Sequence, residues 1–190
     1  LQQYFARSTM AMRPIFARAK HNAKRIVYCE GEEDHVLRAV QMVVDEGVAK
    51  PIIIGRRDVV TTRVKRLRLR MQVDKDFELV DPQDDPRYKS YWETYLSLMD
   101  RKGVTPAVAK LIVRTSPTVI GSLMVQMGQA DAVICGCIGD FHDHMKHIKD
   151  VIGLKPGVET AAALRALIVP KGVYFFCDTH VNPDPSIAQI

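Results

Sequence analysis

KRIVYCEGEEDHVLRA, residues 24–39, sets a short apolar run almost directly against a helix pattern, with only an acidic turn between them. Ile26, Val27 and Tyr28 have the β-branched and aromatic character of a strand, whereas Val36, Leu37, Val40, Val43 and Val44 recur at helical spacing. A strand feeding a helix through Glu30-Gly31-Glu32-Glu33 is half of a βαβ unit. In a parallel sheet such a turn lies at the carboxyl end of the strand, where ligand crevices form. Function is therefore sought at strand ends.

Working outward, the helix spans 33–46 and Gly47 closes it. Pro51-Ile52-Ile53-Ile54 follows as a wholly apolar strand ending at Gly55, the pattern of a sheet covered on both faces. Together these segments make one right-handed βαβ unit. Residues 77–80 predict a third strand and residues 130–136 a fourth. Residues 85–101 predict a long helix with Tyr88, Tyr91, Trp92, Tyr95, Leu96 and Met99 on its buried side. Two shorter helices, 106–113 and 117–127, have Thr105 and Ser116 placed as N-caps. Residues 161–169 and 172–177 can form two strands joined by Pro170-Lys171-Gly172, although the alanine-rich first half fits a helix equally. The expected class is α/β, a three-layer sandwich with a mostly parallel sheet.

Composition bounds the function. A chain of 190 residues with 47% apolar and 26% charged content can bury a real core. Lys and Arg exceed Asp and Glu by only 27 to 22, too mild an excess to argue for nucleic acid. Residues 58–70 are basic and amphipathic, yet without interleaved aromatics they read as a solvated helix face rather than a phosphate- or base-binding one. Cys29, Cys135, Cys137 and Cys177 show no CxxC spacing, which points to a reducing cytoplasm. No run approaches the roughly 20 apolar residues of a bilayer span, so neither membrane nor nucleic acid is an expected partner. Residues 1–21 carry a loose apolar helical stripe, expected to be a linker helix packed against a neighbour, and 22–190 form the domain proper, with the chain expected to be part of something longer.

Three strand ends share similar chemistry: Cys29-Glu30-Gly31, Cys135-Gly136 and Cys177-Asp178. Were these strands parallel neighbours, one sheet edge would gather thiols, carboxylates and small residues. The cysteines nevertheless read first as small packing residues, because no local arrangement orders a thiol, a base and an orienting group. The densest polar cluster is residues 140–147, in which Asp140, His144 and His147 share a helix face. It lacks a complete ligand set, so no metal is assigned. Gly139 and Asp140 before a helix, with Lys146 one to two turns on, suit anion recognition, and a solvated helix start with locally paired histidines fits as well. There is no GxGxxG after a strand and no GxxxxGK[ST], which disfavours a dinucleotide or NTP held by those loops.

Residues 25–33, 47–55, 130–136 and 178–185 together resemble the phosphate acetyl/butyryltransferase family. More narrowly, residues 12–19, Asp85-Pro86-Arg87-Tyr88 with Tyr91-Trp92, Ser116-Pro117-Thr118-Val119-Ile120-Gly121 and Gly139-Asp140-Phe141-His142-Asp143-His144 look like the phosphotransacetylase-like domain of the large bacterial NADP-dependent malic enzymes. The resemblance implies the first subdomain of a phosphotransacetylase-like fold, with a cleft shared with a second. It also implies an upstream malic enzyme domain carrying NADP and Mg or Mn, with malate oxidatively decarboxylated there. Acetyl-CoA is implied as an effector, and self-association as a homo-oligomer of dimers assembling into a hexamer.

The resemblance places Lys146 where true transferases carry an arginine, and lysine cannot supply the bidentate fork. A regulatory acyl-CoA-responsive domain is therefore expected, with a working phosphate acetyltransferase or a purely structural oligomerisation module as alternatives. The candidate effector-binding residues are Glu30, Gly31, Gly136, Gly139, Asp140, His142, Lys146 and Asp178, and no catalytic residue is assigned.

Overall fold

A computed structural model describes residues 2–169, 171–178, 181, 182, 184 and 186, with side chains from Met12 onward. The chain divides into two compact units, Ala19–Gly153 and the pairing of Leu1–Arg18 with Leu154–Ile190.

The larger unit holds a four-stranded parallel sheet made of β1 (Lys24–Tyr28), β2 (Ala49–Ile54), β3 (Glu78–Val80) and β4 (Ala132–Ile134), in the order β3-β2-β1-β4. The opening motif folds as its pattern requires: β1 runs into α2 (Asp34–Glu46), and Gly47 ends that helix in the left-handed region with φ of 64°. Buried strand residues alternate between two cores, as the period of two demands. Val27, Cys29, Ile52, Ile54 and Val80 join a core with α4 (Tyr88–Met99), α5 (Pro106–Thr115) and α6 (Pro117–Gln126). Tyr28, Ile53 and Leu79 join the other, with α2 and α3 (Arg57–Arg66). Helices on both faces of the sheet make three layers. Burying an Ile53-sized side chain contributes about 1.5–3 kcal/mol, so the β2 isoleucines are a principal source of stability.

Several local readings sharpen. The aromatic helix is shorter than its pattern predicts, ending at Met99 and continuing as a 3₁₀ turn, Asp100–Lys102, before Gly103. Tyr91, Tyr95 and Met99 are buried, while Tyr88, Trp92 and Leu96 pack at the margin. Thr105 caps α5 by accepting from Val108 N–H at 3.4 Å, whereas Ser116 holds the N-cap position of α6 without a side-chain hydrogen bond. The basic helix α3 has the solvated face expected of it, with Lys65 and Arg66 exposed, and it also makes ion pairs: Arg66 pairs with Asp34 at 2.6 Å, and Arg63 donates to the Glu32 carbonyl and lies near Glu33 and Asp34. The acidic turn after β1 is thereby strapped to α3. Buried Gln41 accepts from the backbone N–H groups of Arg70 and Met71 at 2.7 and 3.0 Å, closing the loop that follows α3.

In the smaller unit, β5 (Leu164–Val169) and β6 (Gly172–Cys177) pair antiparallel as a separate two-stranded sheet. The strand reading of 161–169 holds over the helical one. The idea that the strand ending at Cys177 is a parallel neighbour of the others does not hold, because β6 finds its hydrogen-bond partners in β5. Helix α1 (Gln2–His21) covers the predicted N-terminal helix, and Lys20 near its end pairs with Glu46 at 2.8 Å. No single helix among the described residues is long and apolar enough to cross a membrane.

A cleft at the carboxyl edge of the sheet

The loops that leave β1, β2 and β3 open on one side of the sheet, and the turn between α5 and α6 closes over them. A cleft of 330 Å³ results, walled by Cys29, Glu30 and Gly31 from β1, by Gly55 and Arg56 from β2, and by Pro82 and Gln83 from β3. Arg114 and Thr115 complete it from the end of α5, where the axis turns by 101° into α6. A larger hollow of 740 Å³ lies at the amino ends of the strands, bordered by Arg25, Lys50, Asp74 and Glu78. Of these, Arg25 is paired with Asp131, Asp74 with Arg57 and Glu78 with Arg87. The carboxyl-edge cleft is taken as the candidate site because ligand crevices in parallel sheets form at the carboxyl ends of the strands.

Two predicted residues, Glu30 and Gly31, line it, and a third, Gly136, is bonded to Glu30. Glu30 Oε1 accepts a 2.7 Å hydrogen bond from Gly136 N–H, which ties the end of β1 to the segment leaving β4. Gly31 sits so tightly on β2 that a Cβ would stand 2.0 Å from Ile53 Cγ2 and 2.6 Å from the Ile54 carbonyl oxygen. Gly136 has φ of +93° with open space around it, so its glycine serves the backbone turn rather than packing.

The remaining candidates have other placements. Gly139, with φ of +96°, lies against the imidazole of His144. Asp140 is the N-cap of α7 (Phe141–Val151), its Oδ1 accepting from His142 N–H at 2.8 Å. One first-turn N–H is thus taken by the chain's own carboxylate. The His142 ring stands edge-on to Phe141 at 5.5 Å, and Lys146 is exposed on α7. Asp178 belongs to the smaller unit, where its carboxylate accepts from the backbone N–H groups of Ala163, Val181 and Asn182 and organises the turn after β6. Thr179 and His180 lie outside the described residues.

Sequence reading missed the cleft's cations. Arg56 grips Glu32 in a bidentate pair, both contacts at 2.8 Å, and this holds the Glu32 carboxyl below its usual range. The Arg114 guanidinium lies over the Tyr88 ring, 4.5 Å from its centroid, and Arg114 also lines the cleft. The missed signals were Gly55-Arg56, directly after a recognised strand, and Arg114-Thr115-Ser116-Pro117, a cation at a helix junction.

A second constellation lies behind Glu30. Cys29 and Cys135 occupy the next positions beyond the paired residues Tyr28 and Ile134, and Cys29 N–H donates to the Ile134 carbonyl at 3.0 Å. The neighbouring Cys29 thiol, as a hydrogen-bonding partner, holds the Cys135 thiol below its usual range. The same partnership, together with burial, pushes the Cys29 thiol up. His144 is fixed on both sides: its Nε2 lies 2.6 Å from the Ile138 carbonyl oxygen and its Nδ1 2.7 Å from Thr118 Oγ1. A carbonyl can only accept, so Nε2 carries the proton in the neutral ring and Nδ1 accepts from the threonine hydroxyl. Among the described residues no group of three His, Cys, Asp or Glu side chains converges as a metal site.

Comparison with known proteins places this geometry. Residues 10–190 match the family described as phosphate acetyl/butaryl transferase. The chain is 46% identical over 190 residues to the NADP-dependent malic enzyme of Haemophilus influenzae, covering 100% of this chain and 25% of that protein. Identity to the NADP-dependent malic enzyme of Escherichia coli is 44% over 190 residues, with the same coverage of each. Identity to the phosphate acetyltransferase of Nitratidesulfovibrio vulgaris is 30% over 176 residues, 93% of this chain and 24% of that protein. In three dimensions, the EutD phosphotransacetylase from Staphylococcus aureus matches with a TM-score of 0.82 at 22% identity, covering 94% of this chain and 54% of that one. A phosphotransacetylase from Streptococcus pyogenes gives 0.81 at 25% identity, over 92% and 54%. The chain spans about a quarter of the length of the malic enzymes it matches.

Proposed function

The chain belongs to the phosphate acetyl/butaryl transferase family, and from that premise we propose that it is an acyl-CoA-responsive regulatory domain of an NADP-dependent malic enzyme. The observation that carries this reading is the whole-chain identity of 44–46% to malic enzymes, against 30% to a phosphate acetyltransferase. The chain corresponds to the phosphotransacetylase-like part of those enzymes.

The cleft fits a binding role better than phosphoryl chemistry. Transfer of an acetyl group between phosphate and CoA needs several cations on the phosphoryl oxygens. Here Arg56 is engaged by Glu32, and Glu30 and Glu33 add negative charge to the same wall. Arg114 is left as the rim cation for an anionic head group, stacked on Tyr88 and so held in place. Acyl-CoA bound there biases an upstream malate-oxidising domain by favouring one of its conformations. In this reading NADP and the divalent metal belong to that upstream domain. The same reading includes a homo-oligomer in the cytoplasm.

The alternative of a working phosphate acetyltransferase draws on the likeness to phosphate acetyltransferases. One preparation of the complete protein separates the two. Malate oxidation is measured with and without acetyl-CoA, beside an assay of acetyl-CoA formation from acetyl phosphate and CoA. A changed malate rate without acetyl-CoA synthesis is the expected result. Robust synthesis establishes the transferase instead, and silence in both assays leaves a structural oligomerisation module.

A further inference from the structure

We propose that Cys135 and Cys29 form a peroxide-responsive dithiol pair where β1 and β4 end, with Cys135 as the attacking thiol and Cys29 as the resolving one. The inference is independent of the acyl-CoA reading. It rests on placement: both cysteines follow directly after paired residues of adjacent parallel strands, and both face the core shared with α6. Neighbouring strands stand roughly 4.8 Å apart, within the Cα separation of about 4.4–6.8 Å that a disulfide spans.

Gly121 on α6 makes the room. A Cβ there would come within 2.8 Å of Cys29 Sγ and equally within 2.8 Å of Val133 Cγ2. Only a residue without a side chain lets the Cys29 thiol lie in this layer beside β4. Cys135 is half-buried at the strand end, whereas Cys29 is fully buried, which divides the roles. The partly accessible thiol meets the oxidant, and the buried one meets only its neighbour. Thr118 and His144 surround Cys135 with hydroxyl and imidazole, and Glu30 is the charged group nearest the pair from β1.

The chemistry balances with hydrogen peroxide as the oxidant. The Cys135 thiolate attacks one peroxide oxygen; an S–O bond forms, the O–O bond breaks and hydroxide leaves, giving a sulfenic acid. Cys29 sulfur then attacks Cys135 sulfur; the S–S bond forms, the S–O bond breaks, and the departing hydroxide takes up the Cys29 proton as water. Two electrons pass from the two thiols to one peroxide, which ends as two waters.

The test is peptide mapping of the full protein after brief exposure to hydrogen peroxide at pH 7, with the exposed thiols Cys137 and Cys177 as internal comparators. A Cys29–Cys135 disulfide is expected, with Cys135 consumed about threefold faster than Cys137 despite its lower exposure. In C29S the disulfide is lost and a dimedone adduct accumulates at Cys135, a readout that remains if the bridge strains the fold. The rate of Cys135 modification should rise with pH through a midpoint below the ordinary thiol value of about 8.5. Oxidation confined to Cys137 and Cys177, or a bridge that joins Cys135 to Cys137 in place of Cys29, overturns the proposal.

Discussion

Glu30 Oε1 and the backbone N–H of Gly136 are 2.7 Å apart, a single hydrogen bond joining the end of β1 to the segment leaving β4 across 106 residues of chain. Parallel strands here share only three registered positions, Ile26 to Tyr28 against Ala132 to Ile134, so this contact extends a short ladder beyond its last rung. Glu30→Ala is expected to lower unfolding stability by about 1–2 kcal/mol, within the range for hydrogen bonds to charged groups. Urea titration of the two proteins checks it, and an unchanged midpoint would show the bond to be incidental.

Two strand-end glycines are expected to respond to alanine for different reasons. Gly31→Ala sets a methyl against Ile53 and the Ile54 carbonyl, where the backbone cannot give way, and is expected to cost at least about 3 kcal/mol or to prevent folding. Gly136→Ala meets no atom within 4 Å and carries only the left-handed backbone cost of roughly 1–2 kcal/mol. Thermal melts of both variants rank them; equal losses would contradict the packing argument.

Asp131 accepts hydrogen bonds from both the guanidinium and the backbone N–H of Arg25, and this holds its carboxyl down at about 2. A carboxylate with a lowered folded-state pKa stabilises the protein fully above its unfolded value, near 3.8, and loses that contribution as pH falls through the folded value. The stability gap between the wild type and Asp131→Asn should therefore narrow between about pH 4 and pH 2. Denaturant titrations of both proteins across that window test it, and a gap independent of pH would assign the effect to something other than the ion pair.

Arg114 is the cation that the effector proposal depends on most. Arg114→Ala in the complete protein is expected to weaken acetyl-CoA binding about tenfold, the loss of one charge-assisted contact. Its effect on stability should stay below about 1 kcal/mol, because the Tyr88 stacking is solvent-exposed. Lys146→Glu is the companion variant on α7. Calorimetric titration that finds unchanged affinity in both would move the effector away from this edge.

The neutral His144 ring is expected to carry its proton on Nε2, directed at the Ile138 carbonyl. Nitrogen-15 shifts of the imidazole read this tautomer directly. Thr118→Val removes the hydroxyl that Nδ1 accepts from and should leave the Nε2–H form in place while lowering stability by about 1 kcal/mol. A switch to Nδ1–H would mean that the carbonyl contact does not set the ring.

Local pattern carried the elements. The acidic turn after Tyr28, the apolar run at Ile52-Ile53-Ile54 and the cap at Thr105 each depend on residues within a few positions of one another, so the α/β class and the strand-end location of the cleft were legible from the chain alone. Glu30, Gly31 and Gly136 were legible for the same reason. The strength of Gly31's constraint was not, since it comes from Ile53 and Ile54 on another strand.

Tertiary structure decided the rest. Whether Arg56 is a free cation or the partner of Glu32 depends on two strand ends lying side by side, and the basic helix α3 gained its role from the acidic turn it straps. Cys29 meets Cys135 only because β1 and β4 are neighbours, while Cys177 is drawn into a separate antiparallel pair by β5. Periodicity along the chain sets which face a residue takes, because that needs only its own backbone geometry. Which distant residue it meets there is set by strand order and register, which depend on the packing of the whole fold at once.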